Sequence, residues 1–418
     1  MAGRPSDHDA TPAGAGEPAL TADGPVDVLL LGAGLANSLI ALCLRRFRPE
    51  LSILLVERAA AIGGNHTWSF HTTDVSSQEY ALLAPMIAAT WSSQEVRFPQ
   101  FTRVTSTAYN SLTSERLAAA VSAELAGRII TGATVVEVGP QHARLADGRR
   151  LEARLVVDGR GARPSDALLL GYQKFVGLEV ELAAPHNSAR PVIMDATVEQ
   201  IDGYRFVYTL PFSPTRLLIE DTYYSDAADL DVSALADRCR AYATVRGWRI
   251  ADIIRQEQGV LPITLAGRID RFWAEGDNGA CRAGMRAGLF HPTTGYSLPD
   301  AMHVAMMLSG LKDLSTRTAA VAVERHSRQA WKDRGFFRLL NRMLMLAAQG
   351  AERRDVLERF YTLPQGLIER FYAARLTQAD KLRILMGRPP LPIVRAVGQL
   401  SEAQAYGQHA RRLAAPGL

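Results

Sequence analysis

Cysteine is scarce and scattered. Cys43, Cys239 and Cys281 form no CxxC pair and show no metal-ligand spacing, so no metal centre is expected and the usage fits a reducing cytoplasm. No apolar run reaches the roughly 18 residues of a membrane span. Neither sign of charge prevails: 47 Lys and Arg against 43 Asp and Glu leave +4, too mild a balance to suggest nucleic acid. Residues 1–24 have no basic segment leading into a continuous apolar stretch, so they are not a signal peptide. Their Ala, Gly, Pro, Asp and Thr content reads as a disordered leader. Hydrophobic residues make up 47 % of the 418, enough for two packed domains or one large elaborated one.

The chain is organised around Val28-Leu29-Leu30-Leu31-Gly32-Ala33-Gly34-Leu35-Ala36-Asn37. An apolar run stops at two close glycines and restarts as a helix, the arrangement that brings a pyrophosphate to a helix N-terminus. A third glycine is replaced by Asn37. A second apolar run, Leu51–Val56, ends in Glu57, placed to hold ribose hydroxyls. Gly63 and Gly64 follow shortly after, where a dehydrogenase chain would run on into the next helix. A Gly-Gly pair there favours FAD over NAD. Asn65, His66, Trp68 and His71 then supply polar and aromatic groups suited to a pocket wall.

Further on, Thr113 is a candidate N-cap for a helix to about Gly127. Asp147-Gly148 marks a hairpin, and Leu155–Asp158 is a strand stopping at Asp158-Gly159, the kind of edge where ligands gather. Between 173 and 224 the texture turns to alternation. Strands are expected at Phe175–Leu182, Val192–Val198, Tyr204–Leu210 and Leu217–Tyr223, an antiparallel sheet inserted into the nucleotide domain. Period two puts Tyr204, Phe206 and Tyr208 on one face, and Glu220 and Asp221 on opposite faces. One of these carboxylates should face whatever the sheet covers, where an apolar cavity would raise its pKa into the range of acid–base work. Residues 234–257 read as an amphipathic helix and Leu261–Ile263 as a short strand. Gly284–Ser297 is a second glycine-marked helix start, with Gly288, Thr294 and Gly295 near a dipole end able to face a flavin ring. From 298 to 395 the chain reads as mainly helical. In 335–348, Phe336, Leu339, Leu340, Met343, Leu344 and Ala347 form an apolar stripe and Arg334, Arg338 and Arg342 a basic row, as in a helix lying on a membrane or an ordinary core-facing one.

Taken together, Gly-Gly-Asn-His-Thr-Trp-Ser-Phe-His (63–71), Met-Asp-Ala-Thr-Val (194–198), Gly-Tyr-Arg-Phe-Val-Tyr (203–208), Leu-Leu-Ile-Glu-Asp-Thr (217–222) and Leu-Phe-His-Pro-Thr-Thr-Gly-Tyr-Ser-Leu-Pro (289–299) closely resemble the bacterial FAD-containing lycopene β-cyclases. Gly-Phe-Phe-Arg-Leu-Leu-Asn-Arg-Met-Leu (335–344), Leu-Pro-Gln-Gly-Leu-Ile-Glu-Arg-Phe-Tyr (363–372) and Asp-Lys-Leu-Arg-Ile-Leu (380–385) agree. The resemblance spans about residues 27–395, and the family's own fingerprint carries Asn at the position of Asn37. It implies an α/β fold: a Rossmann-like FAD-binding domain (25–170 and 258–310), an inserted antiparallel-sheet substrate domain (171–257), a helical region able to associate with a membrane (311–395) and a C-terminal tail (396–418). It also implies a non-redox isomerisation, in which lycopene is cyclised at both ends through γ-carotene to β-carotene. The flavin would be kept reduced by NADPH. Glu220, with Asp221 beside it, would be the essential acid. Gly32, Gly34, Asn37, Glu57, Gly63, Gly64, Asp158, Gly288, Thr294 and Gly295 would hold the cofactor; Trp68, Tyr204, Phe206, Tyr208 and His291 would wall the substrate. A lipid-dissolved substrate implies attachment to the inner face of the cell membrane. The alternative is a redox flavoenzyme of the same fold, a prenyl reductase or hydroxylase.

Overall fold

The computed structural model describes residues 24–414 except 277, 351, 387–394 and 396. The leader therefore lies outside the described residues up to position 23.

The first sheet is built on the strand Val26–Leu31. It pairs in parallel with Ile53–Val56 on one side and Arg150–Asp158 on the other. Leu29, Leu30 and Leu31 have no exposed surface, as a strand covered on both faces requires. Ile129–Ile130 extends one edge, and a meander of Arg150–Asp158, His142–Leu145 and Val135–Val138 the other. Cys281–Arg282 returns, far along the chain, to pair beside Arg150–Asp158. The helix Leu35–Phe47 packs against Leu298–Ser309 over this sheet. The cap at Thr113 is present: its side chain accepts from the Arg116 amide, and the helix runs Ser114–Glu124.

The second sheet has seven strands, in the order Ile250–Gly267, Leu168–Leu182, Arg216–Ser225, Tyr204–Pro211, Val192–Asp195, Gln94–Arg97, Thr102–Thr105. It is antiparallel except where Val192–Asp195 meets Gln94–Arg97. Two expectations are corrected here. The segment read as one helix over 234–257 is a helix only over Val232–Val245, and from Ile250 it is the long edge strand of this sheet. The sheet also recruits Gln94–Thr105, from well before the expected start of the inserted domain at 171. A small third sheet, Thr67–His71, Tyr109–Thr113 and Ile87–Trp91, shares the first sheet's core through Phe70 and Leu112 and meets the second sheet where Ser69 accepts from Tyr208.

The C-terminal part is helical, as its pattern implied. The helix Gly335–Arg342 runs on into a π-turn, Met343–Ala347. Its basic row turns inward rather than toward solvent. Arg334 pairs with Asp300 at 2.7 Å, Arg338 with Glu402 at 2.8 Å, and Arg342 donates to the Leu265 carbonyl at 2.7 Å. Phe337 is buried, while Phe336, Leu339, Leu340 and Met343 are half-buried. The last segment is not a free tail: the helix Glu402–Ala414 packs Ala405 and Tyr406 against Ala266 of the edge strand. Among the described residues no helix is long and apolar enough to cross a membrane.

Candidate active site

A groove of about 550 Å³ runs along the C-terminal ends of the first sheet. Gly32, Gly34, Glu57, Gly63 and Gly64 all line it. Gly32 has φ +87°, and a β-carbon there would lie 3.1 Å from the Arg160 backbone. Gly34 caps the helix Leu35–Phe47 with no side chain satisfying the first-turn amides. A β-carbon at Gly34 would meet nothing within 4 Å, so the backbone donors open onto the groove. The Glu57 carboxylate accepts from the Ala33 amide at 2.7 Å and the Ala59 amide at 2.9 Å. Gly63 bonds the Ala33 carbonyl, and a side chain there would meet the Ser114 carbonyl at 2.8 Å. Bare donors at a helix start, a carboxylate and close-approach glycines fit a dinucleotide with a pyrophosphate.

Asn37 and Asp158 stand one step back from this groove. The Asn37 amide donates to the Leu31 and Gly32 carbonyls, both at 2.9 Å. A β-carbon at Gly159 would fall 2.6 Å from it. Asn37 thus braces the turn where the general fingerprint has glycine. Asp158 is buried between two arginines, Arg160 at 2.8 Å and Arg286 at 2.9 Å. Burial alone would raise its carboxyl; the two guanidiniums outweigh burial and hold it below the ordinary value. Arg160 and Arg286 line the groove, as does Arg58. Sequence reading missed these cations, although Arg160 follows directly on the Asp158-Gly159 signal.

A second cavity, of about 180 Å³, adjoins the groove, and His66, Trp68, Met285 and Ser297 belong to both walls. Its other walls include Phe206, Tyr208, Glu220, Thr294 and Gly295, with Phe175, Ile193, Met194, Tyr224, Tyr296 and Tyr372 not anticipated from sequence. Thr294 and Gly295 therefore lie at this cavity and not in the groove. Gly288 lies at neither. It closes the turn Gly284–Ala287 with φ +69°, its α-carbon facing Phe272. Tyr204 also lies beyond the lining: it is fully buried and packs on Phe206 and Tyr224 at 5.4 and 5.9 Å between ring centres. His291 is a packing histidine. Its Nδ1 accepts from the Thr293 and Thr294 amides at 3.2 Å, and its Nε2 reaches the Phe371 carbonyl at 2.9 Å. Burial, helped by Arg334, pushes its pKa down to about 4, so it is a neutral ring shaping the 291–296 loop. Asn65 is drawn off to Arg255, and His71 packs at a tilt between Tyr109 and Tyr372.

Glu220 and Asp221 part company. Asp221 points to the far face, where Arg205 holds it at 2.6, 3.0 and 3.1 Å. It is closed off from the cavity among Val207, Ile219 and the helix Val232–Val245, so a direct role for it in the cavity is withdrawn. Glu220 faces the cavity and accepts from the Thr222 hydroxyl at 2.7 Å. Burial first, and the charge of Glu257 next, push its carboxyl up to about 8. Around it runs a chain of hydroxyls: Tyr208 to Ser69 at 2.9 Å, Tyr109 to Tyr208 at 3.1 Å and Tyr109 to Tyr296 at 3.4 Å. Burial holds these three phenols well above their ordinary value. The cavity thus combines one protonated carboxyl, neutral hydroxyls and π-faces. That set can deliver a proton and shelter a cation.

Comparison with known proteins gives concordant results. The family model described as "Lycopene cyclase protein" matches residues 27–397. The lycopene beta-cyclase of Pantoea ananas is 47% identical over 371 residues, 89% of this chain and 97% of that protein. The lycopene beta-cyclase of a Paracoccus species is 49% identical over 390 residues, 92% of this chain and 99% of that protein. Among solved structures, a geranylgeranyl bacteriochlorophyll reductase-like protein from Thermoplasma acidophilum superposes with a TM-score of 0.58 at 13% identity, covering 90% of this chain and 99% of that one. A tryptophan 6-halogenase from Streptomyces toxytricini gives 0.57 at 14%, covering 93% and 96%. At such identities the two structures speak for the fold alone.

Proposed function

The chain belongs to the lycopene cyclase family, and on that premise we propose that it closes both ends of lycopene to β-rings, giving β-carotene through γ-carotene. The observation that carries this reading is a buried carboxyl, Glu220, in an aromatic cavity that opens onto a dinucleotide groove.

Glu220 carries a proton near neutral pH and gives it to the terminal double bond of the substrate. An alkene is a very weak base, so the transfer needs a dry site, and the cavity lining is mostly aromatic and aliphatic. The cation formed next to the new C–H bond is attacked by the neighbouring alkene, which forms the ring bond and moves the positive charge into the ring. The faces of Phe175, Phe206 and Tyr224 suit such a cation, each contact contributing about 2 kcal/mol when desolvated. Loss of a ring proton to the Glu220 carboxylate restores the acid and leaves an isomer of unchanged mass.

FAD is the dinucleotide this reading assigns to the groove, held by Gly32, Gly34, Glu57, Gly63, Gly64, Arg160 and Arg286, with NADPH as the reductant. When bound and reduced, it would supply negative charge close to the cation. Access to a membrane-dissolved substrate falls to an apolar patch rather than a basic one, since the arginine row faces inward. Half-buried Phe336 lies under Lys381, whose ammonium is 5.9 Å from its ring centre, and exposed Leu382, Leu385 and Met386 continue the patch. These residues would rest on the inner face of the cell membrane.

Expression in a lycopene-accumulating bacterium, with chromatography of the pigments, tests the reading. A β-cyclase yields γ- and β-carotene at the mass of lycopene. A prenyl reductase or hydroxylase of the same fold yields a changed mass, and unchanged lycopene would overturn the proposal.

A further inference from the structure

The edge strand Ile250–Gly267 brings a second carboxyl to the site. On the second sheet, Gly177 pairs with Glu220 on one side and with Glu257 on the other. All three lie in one row and so share a face. Two strands apart, acidic side chains would ordinarily be separated by the side chain between them. Here that residue is glycine. A β-carbon at Gly177 would lie 3.0 Å from Glu257 Cγ and 3.3 Å from Glu257 Oε1, so Glu257 leans through the gap toward Glu220. Glu257 is buried and does not line the cavity itself. Its outer oxygen is fixed by Arg255 at 2.9 Å and by the Thr67 hydroxyl at 3.0 Å. Arg255 in turn bonds Thr67 at 2.8 Å and Glu179 at 3.1 Å.

Building on the cyclase reading, we propose that Glu257 is a positioning residue that shares one proton with Glu220 across Gly177. Burial raises the Glu257 carboxyl as well, but Arg255 and Thr67 bond its outer oxygen and oppose that, which favours Glu257 as the ionised member and leaves the proton on Glu220. Two adjacent carboxylates repel, which makes Glu220 hold its proton to higher pH and reclaim it from the ring cation. The proton leaves the Glu220 oxygen for the alkene and returns to it from the ring, so none is consumed. The other charged and titratable groups facing the pair are Glu179 and Glu115 beyond Arg255, His66 across the cavity, Tyr208 on the next strand, and Asp221 with Arg205 and Cys239 on the reverse face.

The test uses the full-length flavin-loaded protein and the variants E220Q, E257Q, E257D and G177A. Infrared titration, which needs no substrate, should show one buried protonated carboxyl at neutral pH in the wild type and none in E220Q. In E257Q that band should titrate more than about one pH unit lower, because a like charge has gone. The alkaline limb of kcat should fall by the same amount, with KM unchanged, and E257D should restore it in part. G177A drives a methyl group between the two carboxyls and should shift the band likewise, which keeps the proposal testable if E257Q does not accumulate. An unmoved band in E257Q or G177A overturns it, as does an equal loss of kcat at every pH. If the wild type shows the shared proton but leaves lycopene unchanged, the cyclase reading fails and the carboxyl pair stands.

Discussion

The two faces of the strand Arg216–Ser225 treat adjacent carboxylates in opposite ways. On the helix-covered face, Asp221 is met by a bidentate arginine among aliphatic side chains. On the cavity face, among the described residues, Glu220 accepts from a threonine hydroxyl and has a second acid beside it. A buried charge with its cation is a structural element that costs stability when either partner is lost. A buried carboxyl without a cation is kept neutral, and a neutral carboxyl can donate a proton. On the proposed function, chemistry and architecture are separated by a single residue step along one strand.

The sharpest way to break this comparison is to remove each acid in turn. Glu220→Gln should lower cyclisation by about 10²–10⁴-fold, the usual worth of general acid–base catalysis, while flavin absorbance per mole of protein is retained. Near-normal turnover would dissolve the distinction from the cavity side. Asp221→Ala should instead lower stability by about 3–5 kcal/mol, as expected for an orphaned buried partner. Denaturant titration measures this, and activity per folded molecule should change little. Next in size is the groove: Arg286→Ala removes a charge-assisted donor worth about 1.5–3 kcal/mol, so flavin affinity should fall by about 10–100-fold in fluorescence titration.

The same contrast can be sharpened through pH. The Glu220 carboxyl, raised from 4.5 to about 8 in the folded chain, binds more protons folded than unfolded throughout that interval. Its contribution therefore makes stability fall as pH rises through the window. Glu220→Gln should remove this slope, gaining on the wild type in thermal midpoint toward about pH 8 and matching it near about pH 4, below both values. The smallest expected change is at the surface. Phe336→Asp with Leu385→Asp should weaken liposome binding severalfold with flavin content intact. Phe337→Asp would instead damage the core, since Phe337 is only 1% exposed.

Much of this was legible in the chain. The run of buried aliphatics Val28–Leu31, ending at Gly32, could hardly fold other than as a strand feeding a helix, because at Gly32 only glycine admits the turn and the close approach. Alternation from Tyr204 to Tyr223 already assigned Glu220 and Asp221 to different faces. It could not say which face was covered by an aromatic cavity and which by a helix. Loops whose marks are glycine and threonine, such as Gly284–Ser297, are less specific: Gly288, Thr294 and Gly295 looked alike, yet Gly288 closes a turn while Thr294 and Gly295 line the second cavity.

Local pattern fixed what depends on the backbone's own rules: the turn at Gly32, the cap at Thr113, the two-residue period around Glu220. Only the assembled sheet could bring Glu257, read from its surroundings as helical, into one row with Gly177 and Glu220. Only the packed helices could turn Arg334, Arg338 and Arg342 toward buried partners. Strand register and helix docking are set by contacts between residues far apart in the chain, and the charge state of a buried acid follows from those neighbours and not from its own position in the sequence.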